Sequence, residues 1–197
     1  MRTANIIRWG LTGAALVALV AWSAITYVVP MFETNVSDRM GHGDYVLATT
    51  DGAAFTEATL KGAPSAVFFG FTHCPEVCPT TLGDVYGWKE DLADKGEDIR
   101  VFFVTVDPER DTQDVLGDYV GWVPGVTGVT GDPAEIQKAI KSFYVYAAKV
   151  PLEDGGYTMD HSASVLLFDK DGVYQEAISY REDPEVALAK LNRVIRP

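Results

Sequence analysis

From Trp9 to Phe32 the chain runs for 24 positions without a charged residue. This feature limits the architecture most, because it divides the sequence before any folded domain is considered. At about 1.5 Å per residue, a helix of that length crosses a hydrocarbon layer of about 30 Å with some tilt. Trp9 and Tyr27 stand near the two ends of the stretch, where amphipathic rings prefer the headgroup level. Arg2 and Arg8 precede it, while Glu33 and Asp38 follow. The positive-inside rule then keeps the N-terminus in the cytoplasm and sends the remainder outward. A cleaved signal peptide is the competing reading, with Ala21-Trp22-Ser23 as a weak cleavage match. Its apolar region is usually only about 7–15 residues long, so the length favours a retained anchor. The expected divisions are a cytoplasmic segment 1–8, a transmembrane helix 9–32, a polar tether 33–43 and a folded domain 44–197. No separate Arg/Ser-rich presequence precedes the anchor. A single-pass protein of a bacterial inner membrane, with its domain in the periplasm, is therefore expected.

With Arg2 and Arg8 set aside, 14 of the 16 basic residues and all 28 acidic ones follow the apolar stretch, a net charge of −14. Such a field repels DNA and RNA, which argues against a nucleic-acid partner. Hydrophobic residues make up 47% of the chain, as in a globular core. Two cysteines are too few to staple a fold.

In the domain, Ser65–Phe71 and Arg100–Val106 are apolar runs that read as strands buried on both faces. Helical spacing begins at Pro79 and stops near Gly96. Further helices are expected over Thr112–Val120, after Asp132-Pro133 and over Pro184–Val194, with a short strand at Gly125–Thr130. Ser164–Phe168 and Val173–Ile178 flank Asp169-Lys170-Asp171-Gly172, a hairpin signal. The order implies an α/β domain with a mixed sheet flanked by helices.

Cys74 and Cys78 lie between the first buried strand and the helix that follows. Pro79 suits a first helical position, which makes Cys78 the expected N-cap with a depressed pKa. A thiolate pair this close can form a disulfide or bind a soft metal. The only histidines are His42, His73 and His161. His42 falls in the tether. His73 adjoins Cys74 and should point away from it on an extended backbone. His161, 83 residues after Cys78, stands just before the predicted hairpin. Two thiolates and one imidazole suit Cu(I), and with a weak extra ligand Cu(II), whereas a structural zinc site wants a fourth protein ligand. Met159, His73 and His42 are the accessory candidates, and Asp160 a candidate partner for the His161 ring. Asp107 is a candidate outer group, Asp111 the expected cap of the next helix, and Glu76 a local charge between the cysteines.

Three segments then resemble the signatures of the SCO/SenC family: Phe69-Gly70-Phe71-Thr72-His73-Cys74-Pro75-Glu76-Val77-Cys78-Pro79, Val106-Asp107-Pro108-Glu109-Arg110-Asp111-Thr112, and Tyr157-Thr158-Met159-Asp160-His161-Ser162. The resemblance implies a thioredoxin-like fold and copper held by Cys74, Cys78 and His161. It also implies a role in maturing the dinuclear copper centre of cytochrome c oxidase subunit II, with a periplasmic copper donor as a further partner. Met159 departs from the small aliphatic residue expected there. The alternative function is a membrane-anchored thiol–disulfide oxidoreductase using Cys74 and Cys78 as a redox-active pair to reduce the cysteines of that centre. The three residues between the cysteines, where thioredoxin-like reductases have two, favour metal. A peroxidase is disfavoured because Phe71 and Pro75 occupy the positions where a Thr is expected.

Overall fold

The computed structural model describes residues 17–23, 26, 36–153 and 155–196. Residues 17–23 are helical and exposed. Among the described residues no helix is long and apolar enough to cross a membrane. Most of the stretch 9–32, expected as the anchor, lies outside the described residues.

Val, Phe and Leu runs make the centre of the domain. Strands β3 (Ser65–Gly70), β4 (Arg100–Thr105) and β8 (Val165–Phe168) are buried along nearly their whole length, so both faces of the sheet are covered there. With β1 (Leu47–Thr49), β2 (Ala54–Phe55), β5 (Val126–Thr130) and β9 (Tyr174–Ile178) they form a seven-stranded sheet of order β2-β1-β5-β4-β3-β8-β9. The β3–β4 and β4–β5 pairs are parallel and the others antiparallel. This is the mixed sheet that the element order implied. The β1–β2 hairpin was not expected, although Asp51-Gly52 in its loop is a turn signal.

Helix α1 (Val77–Ala93) starts two residues before the expected position. The first amides of any helix lack intrahelical partners, so Pro79 breaks no hydrogen bond in the third position, although it crowds the helical backbone of Cys78 before it. At its far end Gly96, with φ of +71°, supplies the expected left-handed turn. Helix α2 (Gln113–Val120) is capped by Thr112, whose hydroxyl accepts from Val115 N–H, and not by Asp111. Helices α3 (Pro133–Ser142) and α4 (Pro184–Ile195) each begin with an aspartate cap followed by proline.

The main departure concerns the segment before β8. Ala147–Pro151 (β6) and Tyr157–His161 (β7) form a separate antiparallel ribbon that pairs only with itself. His161 thus ends a strand. The turn signal was Gly155-Gly156, between two short runs too polar to resemble core strands.

Candidate metal centre

The chain leaves β3 at Gly70 and turns, with Cys74 N–H donating to the Phe71 carbonyl over 3.2 Å. Because β3 and β4 are parallel and pair Gly70 with Thr105, the cysteine loop and the segment after β4 emerge at one end of the sheet. Asp111, fully buried, joins them. Its carboxylate accepts from Thr72 N–H at 3.0 Å, from the Thr72 hydroxyl at 2.6 Å and from the Thr105 hydroxyl at 2.6 Å. The residue expected to cap a helix instead fastens the first motif to the second.

Cys78 is the second residue of α1 and is fully buried, whereas Cys74 keeps 9% of its surface exposed. Both are free thiols. Cys78 N–H, one of the amides left unpaired at the helix start, points at Cys74 Sγ over 3.4 Å. The expected depression of Cys78 is therefore corrected. The helix start stabilises a thiolate, but on Cys74. The Cys78 thiol hydrogen bond, helped by the Cys78 and Glu76 amides and by His161, overcomes burial and lowers Cys74 to about 5. The hydrogen-bonded Cys74 sulfur and burial push Cys78 upward. The packing around Cys78 requires Gly70, since a Cβ there would lie 2.7 Å from Cys78 Sγ and 2.7 Å from Phe103 Cζ.

His161 arrives from β7. Its Nε2 lies 3.7 Å from Cys78 Sγ, and its Nδ1 lies 2.9 Å from the Ser162 carbonyl. A proton on Nδ1 donated to that carbonyl leaves the Nε2 lone pair facing the sulfurs. The Phe71 ring stands edge-on to the imidazole at 5.7 Å. The ligand atoms of Cys74, Cys78 and His161 all fall within 4.8 Å of one another, the one such group of three or more His, Cys, Asp or Glu among the described residues. Bonds of about 2.3 Å to sulfur and about 2.0 Å to nitrogen, set about 120° apart, separate S and N by about 3.7 Å. The Cys78–His161 distance meets that requirement without movement, and two thiols with an imidazole are a donor set for a soft cation.

His73 and His42 do not join this group. His73 is exposed, with Nδ1 3.1 Å from the Thr72 hydroxyl. His42 is exposed, with Nδ1 3.5 Å from Glu57 Oε2. Met159 packs in the core, and Asp160 is exposed because alternate residues of a strand face opposite ways. Glu76 pairs with Arg181 at 2.8 Å. Asp107, fully buried, pairs with Arg110 and accepts from the Tyr157 hydroxyl at 2.9 Å. Arg110 and Tyr157 were quoted within the motifs but given no role. Their sequence signal is only that both motifs occur together.

Comparison with known proteins yields a consistent group of relatives. The family described as SCO1/SenC matches residues 34–196. The SCO2-like protein of Rickettsia felis is 38% identical over 149 residues, covering 74% of this chain and 71% of that protein. Mitochondrial Protein SCO2 of Saccharomyces cerevisiae is 34% identical over 160 residues, covering 78% of this chain; the chain spans about half the length of that relative, 52%. Among solved structures, Bradyrhizobium japonicum ScoI with copper bound is 42% identical with a TM-score of 0.71, over 79% of this chain and 99% of that one. Yeast Sco1 with copper bound is 32% identical with a TM-score of 0.72, over 78% and 87%. The shared architecture is the mixed α/β thioredoxin-like fold expected from the motifs. On the extent of the family match and the identities of these relatives, the chain belongs to the SCO1/SenC family.

Proposed function

We propose that the chain is a copper-binding assembly factor, which takes copper as cargo at Cys74, Cys78 and His161 and serves the dinuclear copper centre of cytochrome c oxidase subunit II. The observation that carries this reading is the convergence of the three ligand atoms within 4.8 Å, with the thiolate form of Cys74 already favoured. Copper-bound structures of ScoI and Sco1 relatives support it. Residues 9–32 anchor the protein in a bacterial inner membrane, 33–43 tether it, and the domain from 44 onward works in the periplasm, where it meets a copper donor.

One observation favours a second reading. A low-pKa Cys74 beside a buried Cys78 thiol is an arrangement suited to disulfide exchange. In that reaction Cys74 attacks one sulfur of a target disulfide and releases the other as a thiolate. Cys78 then attacks Cys74, the target leaves as a dithiol, and two electrons and two protons have passed to it.

Titration of the reduced domain, residues 34–197, with Cu(I) and Cu(II) tests the first reading. About one copper per chain and a Cu(II)–thiolate charge-transfer band are expected, with affinity in His161→Ala lowered by at least the roughly tenfold that loss of a mere outer partner costs. Reduced protein that binds no more copper than a cysteine-free variant would overturn it and leave the exchange reading. Copper binding indifferent to His161 would remove the third ligand.

A further inference from the structure

The ribbon that carries His161 has no backbone pairing with the main sheet, so something else must hold the imidazole against the thiols. The contacts come from the segment after β4. Arg110 pairs through Nε with the buried Asp107, donates from Nη1 to the Tyr157 carbonyl at 3.1 Å, and lies 4.0 Å from the centre of the Tyr157 ring. The Tyr157 hydroxyl returns to Asp107 at 2.9 Å, closing a loop of contacts. Arg110 Nη2 is buried without a hydrogen-bond partner. The same guanidinium lies 5.8 Å from the Phe71 ring, and that ring abuts His161. Lys149 also grips the segment through Glu109 at 2.6 Å, but both groups are about half exposed and such a pair holds little.

Strand geometry carries this hold from Tyr157 to His161. Residues 157, 159 and 161 of β7 face the same way, because side chains alternate along a strand. Met159, between them, is buried in the core. Fixing the roll of β7 at Tyr157 therefore fixes which way His161 points, about 13 Å further along at about 3.3 Å per residue. We propose that Arg110 is a positioning residue for the metal centre: it locks the β6–β7 ribbon in the roll and register that bring His161 Nε2 to Cys78. The proposal rests on the reading of His161 as a ligand, but its mechanical half stands apart from that reading.

Arg110→Lys is the principal variant, since it keeps a cation beside Asp107 but cannot span Asp107 and the Tyr157 carbonyl together. In the copper-free protein, amide hydrogen exchange over residues 157–161 should accelerate by about tenfold or more while β3 and β4 stay protected. Affinity for Cu(I) should fall by about 10-fold or more, as for loss of an outer partner of a ligand. In a His161→Ala background the same substitution should cost no further affinity. Lys170→Met, in the exposed turn between β8 and β9, should leave ribbon exchange and affinity unchanged. Unchanged ribbon exchange in Arg110→Lys, or an equal affinity loss in the His161→Ala background, would overturn the proposal. Should Arg110→Lys fail to fold, Tyr157→Phe removes only the hydroxyl bound to Asp107, and a smaller acceleration confined to the ribbon is expected. If His161→Ala alone leaves copper affinity intact, the ligand reading fails, whereas the ribbon exchange still decides the clamp.

Discussion

The two thiols differ mainly because one donates to the other, and the helix start adds to the same side. The Cys78 thiol donates to Cys74 Sγ and the Cys78 N–H points at the same atom, so negative charge is favoured on the sulfur outside the helix and, with burial, disfavoured on the one within it. A Cys74 pKa lowered to about 5 means that its thiolate fraction is lost only as pH falls through that value. In the reduced, copper-free protein, iodoacetamide at about pH 6.5 should therefore label Cys74, where a free cysteine of pKa about 8.5 reacts poorly. Cys78 should remain unlabelled to well above neutrality, since its thiolate is suppressed and the side chain is fully buried. Peptide mapping after labelling distinguishes the two, and equal labelling would contradict the asymmetry. The sequence already contained the reasons for a low-pKa cysteine here, a second thiol close by and a helix start beside the pair. It did not reveal which sulfur benefits, because that depends on whether Pro79 takes the first helical position or the third. Neither breaks a hydrogen bond, and local sequence does not separate them.

At the scale of elements, the centre is assembled from three pieces that meet at one end of the sheet. Asp111 joins the cysteine loop to the end of β4, and Arg110 joins the end of β4 to the ribbon. Asp111→Ala would take the acceptor from the fully buried Thr105 hydroxyl and from the half-buried Thr72 amide and hydroxyl, at a cost of about 1–3 kcal/mol. A lowered urea midpoint together with faster alkylation of Cys74 is expected, because the loop loses its fastening. A midpoint unchanged from the parent would mean that water satisfies those donors instead. The long apolar strands, the proline-led helices and the hairpin of β8 and β9 were legible because each carries its pattern within a few residues. The ribbon was not. Its strands are half exposed, and what holds them lies 47 and 50 residues earlier, Arg110 on the Tyr157 carbonyl and Asp107 on the Tyr157 hydroxyl. Asp111 was misread for a related reason: an aspartate before a helical run looks like a cap, and only the packed structure shows Thr112 taking that place while Asp111 turns inward.

At the scale of the whole molecule, the acidic field and the apolar N-terminal stretch give separate expectations. The chain produced in a bacterium should sediment with membranes and resist alkaline carbonate, whereas residues 34–197 should remain in the soluble fraction. Recovery of a shortened chain in the soluble periplasmic fraction would show that the stretch is a cleaved signal instead of an anchor. A net charge of −12 further implies that association with a basic surface will slow as salt is added, since exposed charges are screened beyond about 10 Å at 0.1 M. The separate ribbon has one more consequence. Two of the converging side chains belong to the main body and the third to an element with its own pairing, so an ion held by all three is a staple between a large and a small cooperative unit. Swinging the ribbon away would uncover Met159 and the packed faces of Ala147 and Tyr157, but would leave the backbone pairing of the seven-stranded sheet intact. On the proposed function, the three-ligand group would thus open from one side, as a jaw does, with the main sheet still paired.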